Sequence, residues 1–239
     1  MTNDIGRRDV LLATATGIAA VGVAAAFSPS TASAQAAAAP GYEPKPLGFD
    51  PKSIKGLSDK IITSHYENNY VGAVRRLNAI NADLAKLDFA SAQGFAVNGL
   101  KREQLMAANS MILHEIYFAS LGAGGEPTGD VAKAISQDFG SVTAWRNEFT
   151  ATGKALGGGS GWVLLTYSSR LGRLVNQWAA DHTTTIADGV PILALDMYEH
   201  AYHMDYGARA AAYVDAFMGA INWNSVGAAY TASRTATRR

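Results

Sequence analysis

From Leu57 to about Leu87, apolar residues recur at helical spacing: Ile61, Ile62, Tyr66, Tyr70, Val74, Leu77, Ile80 and Leu84. Steps of three and four place them on one face, and Ser58 or Asp59 can cap the helix start. A polar, glycine-containing linker follows, from Ser91 to Gly99. Leu100 to Leu121 repeats the pattern, with Leu105, Ala108, Met111, Ile112, Ile116 and Phe118 on the apolar side, until Gly122-Ala-Gly-Gly-Glu-Pro127 stops it. Two antiparallel helices joined by a short linker are expected.

The pattern then changes. Val131 to Phe139 and Val142 to Leu156 read as two further helices, the second ended by the glycines at 157–159. Trp162 to Tyr167 and Leu174 to Trp178 are strand-like, joined by a turn at Ser168 to Arg173 that contains Gly172. Ile192 to Leu195 is a third short apolar run, and Ala210 to Ile221 reads as a closing helix. The sum predicts an α+β protein: an N-terminal antiparallel α-hairpin lobe (57–123) and a C-terminal lobe of helices around a small three-stranded antiparallel sheet (124–239).

The N-terminus has a separate logic. Gly6-Arg7-Arg8-Asp9-Val10-Leu11-Leu12 is a twin-arginine pattern, followed by a small-residue apolar run to about Phe27 and an A-x-A site at Ala32-Ser33-Ala34. That run is too short and too rich in Ala and Gly to span a membrane. Residues 1–34 are therefore expected to be a cleaved export signal, giving a periplasmic or secreted protein with no membrane span after its removal. Residues 35–56, rich in Ala and Pro, read as an extended arm.

Composition narrows the chemistry. Lys and Arg together number 20, as do Asp and Glu, so no basic excess points to nucleic acid. There is no cysteine, which excludes disulfides, thiolate metal sites and a Cys nucleophile. Any metal must be held by His, carboxylate or backbone oxygen. The chain has five histidines: His65, His114, His182, His200 and His203. His65 and His114 fall on or beside the apolar faces of the two long helices, where they are either core residues or ligands aimed into the seam. Asp196 and His200, four residues apart, can meet on a helical turn or where a strand end curls; the same spacing also makes a surface ion pair. One carboxylate with three imidazoles suits Fe, Mn, Zn or Co.

Asp196-Met-Tyr-Glu-His200-Ala-Tyr202 resembles the signature D-x-W-E-H-A-[YF] of the iron/manganese superoxide dismutases, with Tyr198 where that family usually has Trp. Other landmarks follow in order: Leu57-Ser58 leading to His65 and Leu77-Asn78, His114-Glu-Ile-Tyr117, Gly124-Gly-Glu-Pro127, Gly159-Ser160-Gly161-Trp162 and Ile221-Asn222-Trp223. The resemblance implies disproportionation of superoxide to O2 and H2O2 by a ping-pong cycle. It implies one Fe or Mn ion per subunit on His65, His114, Asp196 and His200, with a solvent molecule completing the coordination. It implies that Trp162 and Tyr117 line the pocket with Tyr70 nearby, and that His182 stands in for a Gln that usually hydrogen-bonds the solvent. Ser110, at one usual position of that Gln, is too short. It implies a homodimer or larger homo-oligomer in which Glu199 reaches the ligand His of the partner.

Some positions depart from the family. Asn69 and Ala73 stand where His and Tyr usually guard the entrance, and His203 replaces a Tyr that pairs across the dimer with the first of them. An Asn69–His203 hydrogen bond between subunits is the expected replacement. Arg209, one position out of register, is the candidate for steering the anionic substrate. Two other readings stand beside this one: a metal-binding structural homologue of the same fold, and a zinc hydrolase, for which no H-E-x-x-H or similar arrangement is present.

Overall fold

A computed structural model describes residues 41–236. The twin-arginine signal and the start of the arm lie outside the described residues.

The first long apolar pattern forms one helical rod with an irregular middle. Helix α1 (Asp59–Ser64) is capped by Ser58, whose Oγ accepts the Ile61 N–H at 3.1 Å. Next comes a π-helical turn, His65–Tyr70, and then α2 (Val71–Lys86). The pattern of burial explains the interruption. Ile61, Ile62, Ala73, Val74, Leu77, Ile80 and Leu84 are buried at ordinary spacing, but the two buried residues of the middle turn, His65 and Tyr70, are five apart. A wider turn absorbs that step, and such turns are frequent at functional sites.

Helix α3 (Gly94–Ala119) packs antiparallel on α2 and begins inside the segment expected to be a linker. Its buried face also differs from expectation. Ala107, Met111, His114 and Phe118 point inward, whereas Leu105 and Ile112 are 48% and 45% exposed. Turning His114 inward rotates the apolar stripe away from those two residues. The arm lies against this hairpin, with the Tyr42 N–H donating to Asn78 Oδ1 and the Lys45 N–H to Tyr70 Oη, each at 2.8 Å.

Helices α4 (Gly129–Phe139) and α5 (Val142–Ala155) follow, then β1 (Trp162–Ser168), β2 (Arg173–Ala179) and β3 (Gly189–Asp196). The sheet order is β2-β1-β3, antiparallel throughout. Every residue of the central strand β1 is buried, since α5 and α8 (Trp223–Ala236) both pack on it. A register shift between Leu165 and Thr166 skips Ile192 beside Pro191, which has no N–H to give the ladder.

The landmark glycines have steric reasons. Gly161 has φ of +130°, and a Cβ there would strike the carbonyl oxygen of Ala179; at Gly124, φ +79°, it would strike that of Gly219. Gly-Gly-Glu-Pro is a junction. Glu126 takes both its carboxylate oxygens to Arg146 of α5 at 2.9 Å, and the Gly125 carbonyl accepts from Trp223 Nε1 at 3.0 Å. The chain ends on more helix than expected: α7 (Ala210–Gly219) is followed by α8, whose buried Trp223, Val226, Tyr230 and Ser233 keep helical spacing among small polar residues. No helix among the described residues is long and apolar enough to cross a membrane.

Candidate metal centre

The sheet register builds one wall of the site. Trp162 opens β1 opposite Ala179, the last residue of β2, and opposite Asp196, the last residue of β3. A carboxylate, a buried indole and the loop after Ala179 therefore meet at one sheet end. After β3 the chain curls into a 3-10 turn, Glu199–Ala201, which returns His200 towards Asp196. A short helix, α6 (His203–Tyr206), then docks this turn on α1, because Asp205 accepts the Ser58 N–H and Oγ–H at 2.7 Å each.

On the helical side, His65 and His114 point into the same space. His65, His114, Asp196 and His200 each offer one ligand atom, and these atoms lie within 4.8 Å of one another. All three Nε2 atoms face Asp196 Oδ2, at 3.1 Å from His65, 3.5 Å from His114 and 3.2 Å from His200. Asp196 Oδ1 is held separately by the Tyr198 N–H at 2.8 Å. Its backbone carbonyl accepts from the buried Tyr213 hydroxyl at 2.8 Å.

His114 gives the clearest sign of what belongs there. Its Nδ1 lies 2.6 Å from the Ser110 carbonyl, which can only accept, so the ring proton sits on Nδ1. Its Nε2 is then a bare lone pair, fully buried and without a hydrogen-bond partner among the described residues. Leaving such an atom unsatisfied costs ~1–3 kcal/mol. A lone pair aimed with two more imidazoles at one carboxylate oxygen fits a cation with bonds of ~2.0–2.2 Å.

The electrostatics agree. Burial is the main cause that pushes His65 down, and it drives His114 to about 3 with help from the neighbouring His65. Burial alone would raise Asp196, but hydrogen bonds from His200 and His65 outweigh it and hold the carboxyl well below its usual range. Two neutral buried imidazoles and an ionised carboxylate are the protonation states in which such groups bind a metal.

A cavity of about 350 Å³ leads to this cluster, with His114, His182 and His200 at its floor and Asn69, Ala73 and Arg76 on its wall. His182 is half-buried and engaged. Trp162 Nε1 donates to its Nδ1 at 3.0 Å, and its carbonyl accepts from Asn109 Nδ2 at 2.5 Å. An indole N–H can only donate, so the proton of the neutral imidazole sits on Nε2. Burial is also the first cause that lowers His182. Tyr198 stacks on both His182 and His200, with centroid separations of 4.9 and 5.4 Å and interplanar angles of 14°. Tyr117 packs on His65 at 4.9 Å between centroids.

Other expected positions fall elsewhere. Tyr70 is not on the cavity wall: its hydroxyl accepts from the Lys45 N–H and donates to Glu115 at 3.1 Å, so it braces the arm rather than the site. Neighbouring residues of a helical turn point in different directions, which sends Asn69 and Tyr70 to different surroundings. Arg209 is exposed at the start of α7 and is likewise absent from the cavity wall. Glu199 and His203 are exposed, and Asn69 is partly exposed at the cavity mouth; none makes a side-chain hydrogen bond among the described residues. Sequence reasoning passed over Tyr198 as a site residue, although its aromatic ring in the D-x-Y-E-H stretch was the available signal. It also missed Arg76 and Asn109, which carry no signal outside the folded context.

Comparison with known proteins agrees with this geometry. Residues 127–229 match the family model of the C-terminal domain of iron/manganese superoxide dismutases. An iron-type superoxide dismutase of Cupriavidus metallidurans is 67% identical over 192 residues, 80% of this chain and 98% of that protein. An iron-type enzyme of Aquifex pyrophilus is 35% identical over 74% of this chain and 85% of its own. A manganese-type enzyme of Haloferax volcanii is 34% identical over 79% of this chain and 95% of its own. With both the identity and the convergent histidines and aspartate in place, the chain belongs to the iron/manganese superoxide dismutase family.

Proposed function

We propose that this protein is a superoxide dismutase, converting two superoxide anions and two protons to O2 and H2O2 with one Fe or Mn ion per subunit. The observation that carries the reading is the convergence of His65, His114 and His200 on Asp196 Oδ2, with His114 Nε2 a buried lone pair that no group among the described residues satisfies. Bound there, the ion supplies one-electron oxidation and reduction that no side chain can perform.

The chain's own residues do the rest. Tyr198 N–H and Tyr213 hold the two sides of Asp196, so the carboxylate presents Oδ2 in a fixed direction. Ser110 fixes the tautomer of His114 in the same way. His182, with its proton on Nε2 and its ring at the cavity floor, is the group placed to hold a proton for the incoming dioxygen species. The aromatic walls, Trp162 and Tyr117, are buried and keep water from the ligands except through the cavity.

The chain is further proposed to be a homodimer or larger homo-oligomer. His200 is 29% exposed on its own, and its Nδ1 has no acceptor within the described residues. Glu199, exposed one residue earlier, suits the role of that acceptor on a partner, and Asn69 and His203 suit an intersubunit hydrogen bond across the same contact. Additive losses from Asn69→Ala and His203→Ala in a double-mutant cycle would sink that pairing. The twin-arginine stretch supports export, and sequencing the N-terminus of the native protein should return Gln35 as the first residue.

The deciding experiment is metal analysis with a dismutase assay on protein purified from its native compartment before any reconstitution. About one Fe or Mn per chain with activity is expected. Full metal occupancy with no activity favours the structural homologue and overturns the enzyme reading.

A further inference from the structure

Among the described residues, Arg76 is the only Lys or Arg lining the cavity that leads to the four-residue cluster, and neither Asp nor Glu lines it. Its place follows from the helix: Asn69, Gly72, Ala73 and Arg76 recur at steps of three and four, so the mouth is one face of the π turn and α2. The guanidinium is 57% exposed and pairs with Glu103 of α3, whose other carboxylate oxygen lies 3.7 Å from Arg102. Arg102 faces Asp181 as well as Glu103, so the positive charge that the cavity itself presents is that of Arg76.

We propose that Arg76 is the residue that steers the anionic substrate into this cavity. Arg209, the sequence candidate for that task, stands off the wall. The inference rests on the dismutase reading for the identity of the anion, but the charge of the mouth is independent of it. Cavities of one sign focus the field and raise the local concentration of an oppositely charged ligand, and salt screens the effect.

The test is Arg76→Gln and Arg76→Lys in the metal-loaded protein, compared with wild type at ionic strengths of ~0.01 and ~0.5 M, where the Debye length falls from ~30 Å to less than ~10 Å. Arg76→Gln should lower kcat/KM about threefold or more at low salt, leave kcat unchanged and lose its defect at high salt. Arg76→Lys should keep most of the rate, since steering needs charge and not the fork of the guanidinium. Azide, a small monovalent anion, serves as a second probe by calorimetry, and its Kd should rise in Arg76→Gln at low salt. Equal kcat/KM and equal azide Kd at low salt overturn the proposal, as does a defect of the same size at both salts, which marks a structural role. If wild-type protein itself lacks activity the dismutase reading fails, and the azide arm still decides Arg76.

Discussion

Trp162 Nε1 donates a hydrogen bond to His182 Nδ1 at 3.0 Å, and this contact ties the opening residue of the central strand to the loop that follows β2. It fixes which imidazole nitrogen carries the proton. Trp162→Phe keeps a buried ring but removes the N–H that selects this tautomer. Activity should fall by about tenfold with metal content unchanged, the scale on which orienting partners of a metal site act. His182→Ala should lower activity at least as far, also without loss of metal. Loss of metal in either variant contradicts the assignment of His182 as a residue outside the ligand set.

Tyr198 supports the same imidazole from the other side. The near-parallel stack of His182, Tyr198 and His200 means that one ring braces both His200 of the converging cluster and His182 beside it. Aromatic pairs of this kind are worth ~0.5–1.5 kcal/mol each beyond area burial. Tyr198→Phe should leave activity within about twofold, because the stack needs the ring and not the hydroxyl. Tyr198→Ala should lower both activity and metal affinity, read by competition with a chelator. Equal behaviour of the two variants would falsify the bracing role.

The four residues that converge at Asp196 were legible because each sits in a stretch with its own local pattern, and the order of those stretches is hard to produce by chance. The sheet and its turns were legible for a similar reason: alternation and glycine placement are local. What depends on docking was not. The π turn is visible only as a five-residue step between buried His65 and Tyr70. The resemblance places Tyr70 near the pocket, whereas its hydroxyl lies between Lys45 and Glu115, and nothing local to Arg76 signals that it lines the cavity. Helix α8 escaped notice because Ala, Ser, Thr and Gly blur the apolar stripe that Trp223, Val226 and Tyr230 form once buried. The stack on Tyr198 needs the 180–188 loop to fold over Trp162, which no spacing in the sequence announces.

Gly161 precedes Trp162 and sets where the indole enters the site. Its φ of +130° is strained for any L side chain, and a Cβ would collide with the Ala179 carbonyl, which belongs to the strand paired with β1. Gly161→Ala should therefore cost more than about 3 kcal/mol in denaturant unfolding, combining backbone strain with a clash against a rigid ladder. Gly158 is the internal control. It also has positive φ, +81°, but nothing lies within 4 Å of a Cβ there, so Gly158→Ala should cost only about 1 kcal/mol. Equal losses would mean that conformation, not the approach of Ala179, makes glycine necessary at 161.

Tyr70 sets an expectation at alkaline pH. Burial, as the main cause, pushes its hydroxyl up to about 12, with Glu115 adding to the rise and the Lys45 N–H opposing it. The fold thus favours the neutral phenol relative to the unfolded chain, whose tyrosines titrate near 10. This contribution is fully present below pH 10 and is lost as pH rises from 10 through about 12, since the unfolded state releases its proton first. Tyr70→Phe removes a group that must stay protonated to keep its place between Lys45 and Glu115. The variant should be less stable than wild type at pH 8, for want of those hydrogen bonds, and the gap in Tm should narrow between pH 10 and 12. A gap that stays constant across that range would show that Tyr70 ionises as readily in the folded protein as in the unfolded chain.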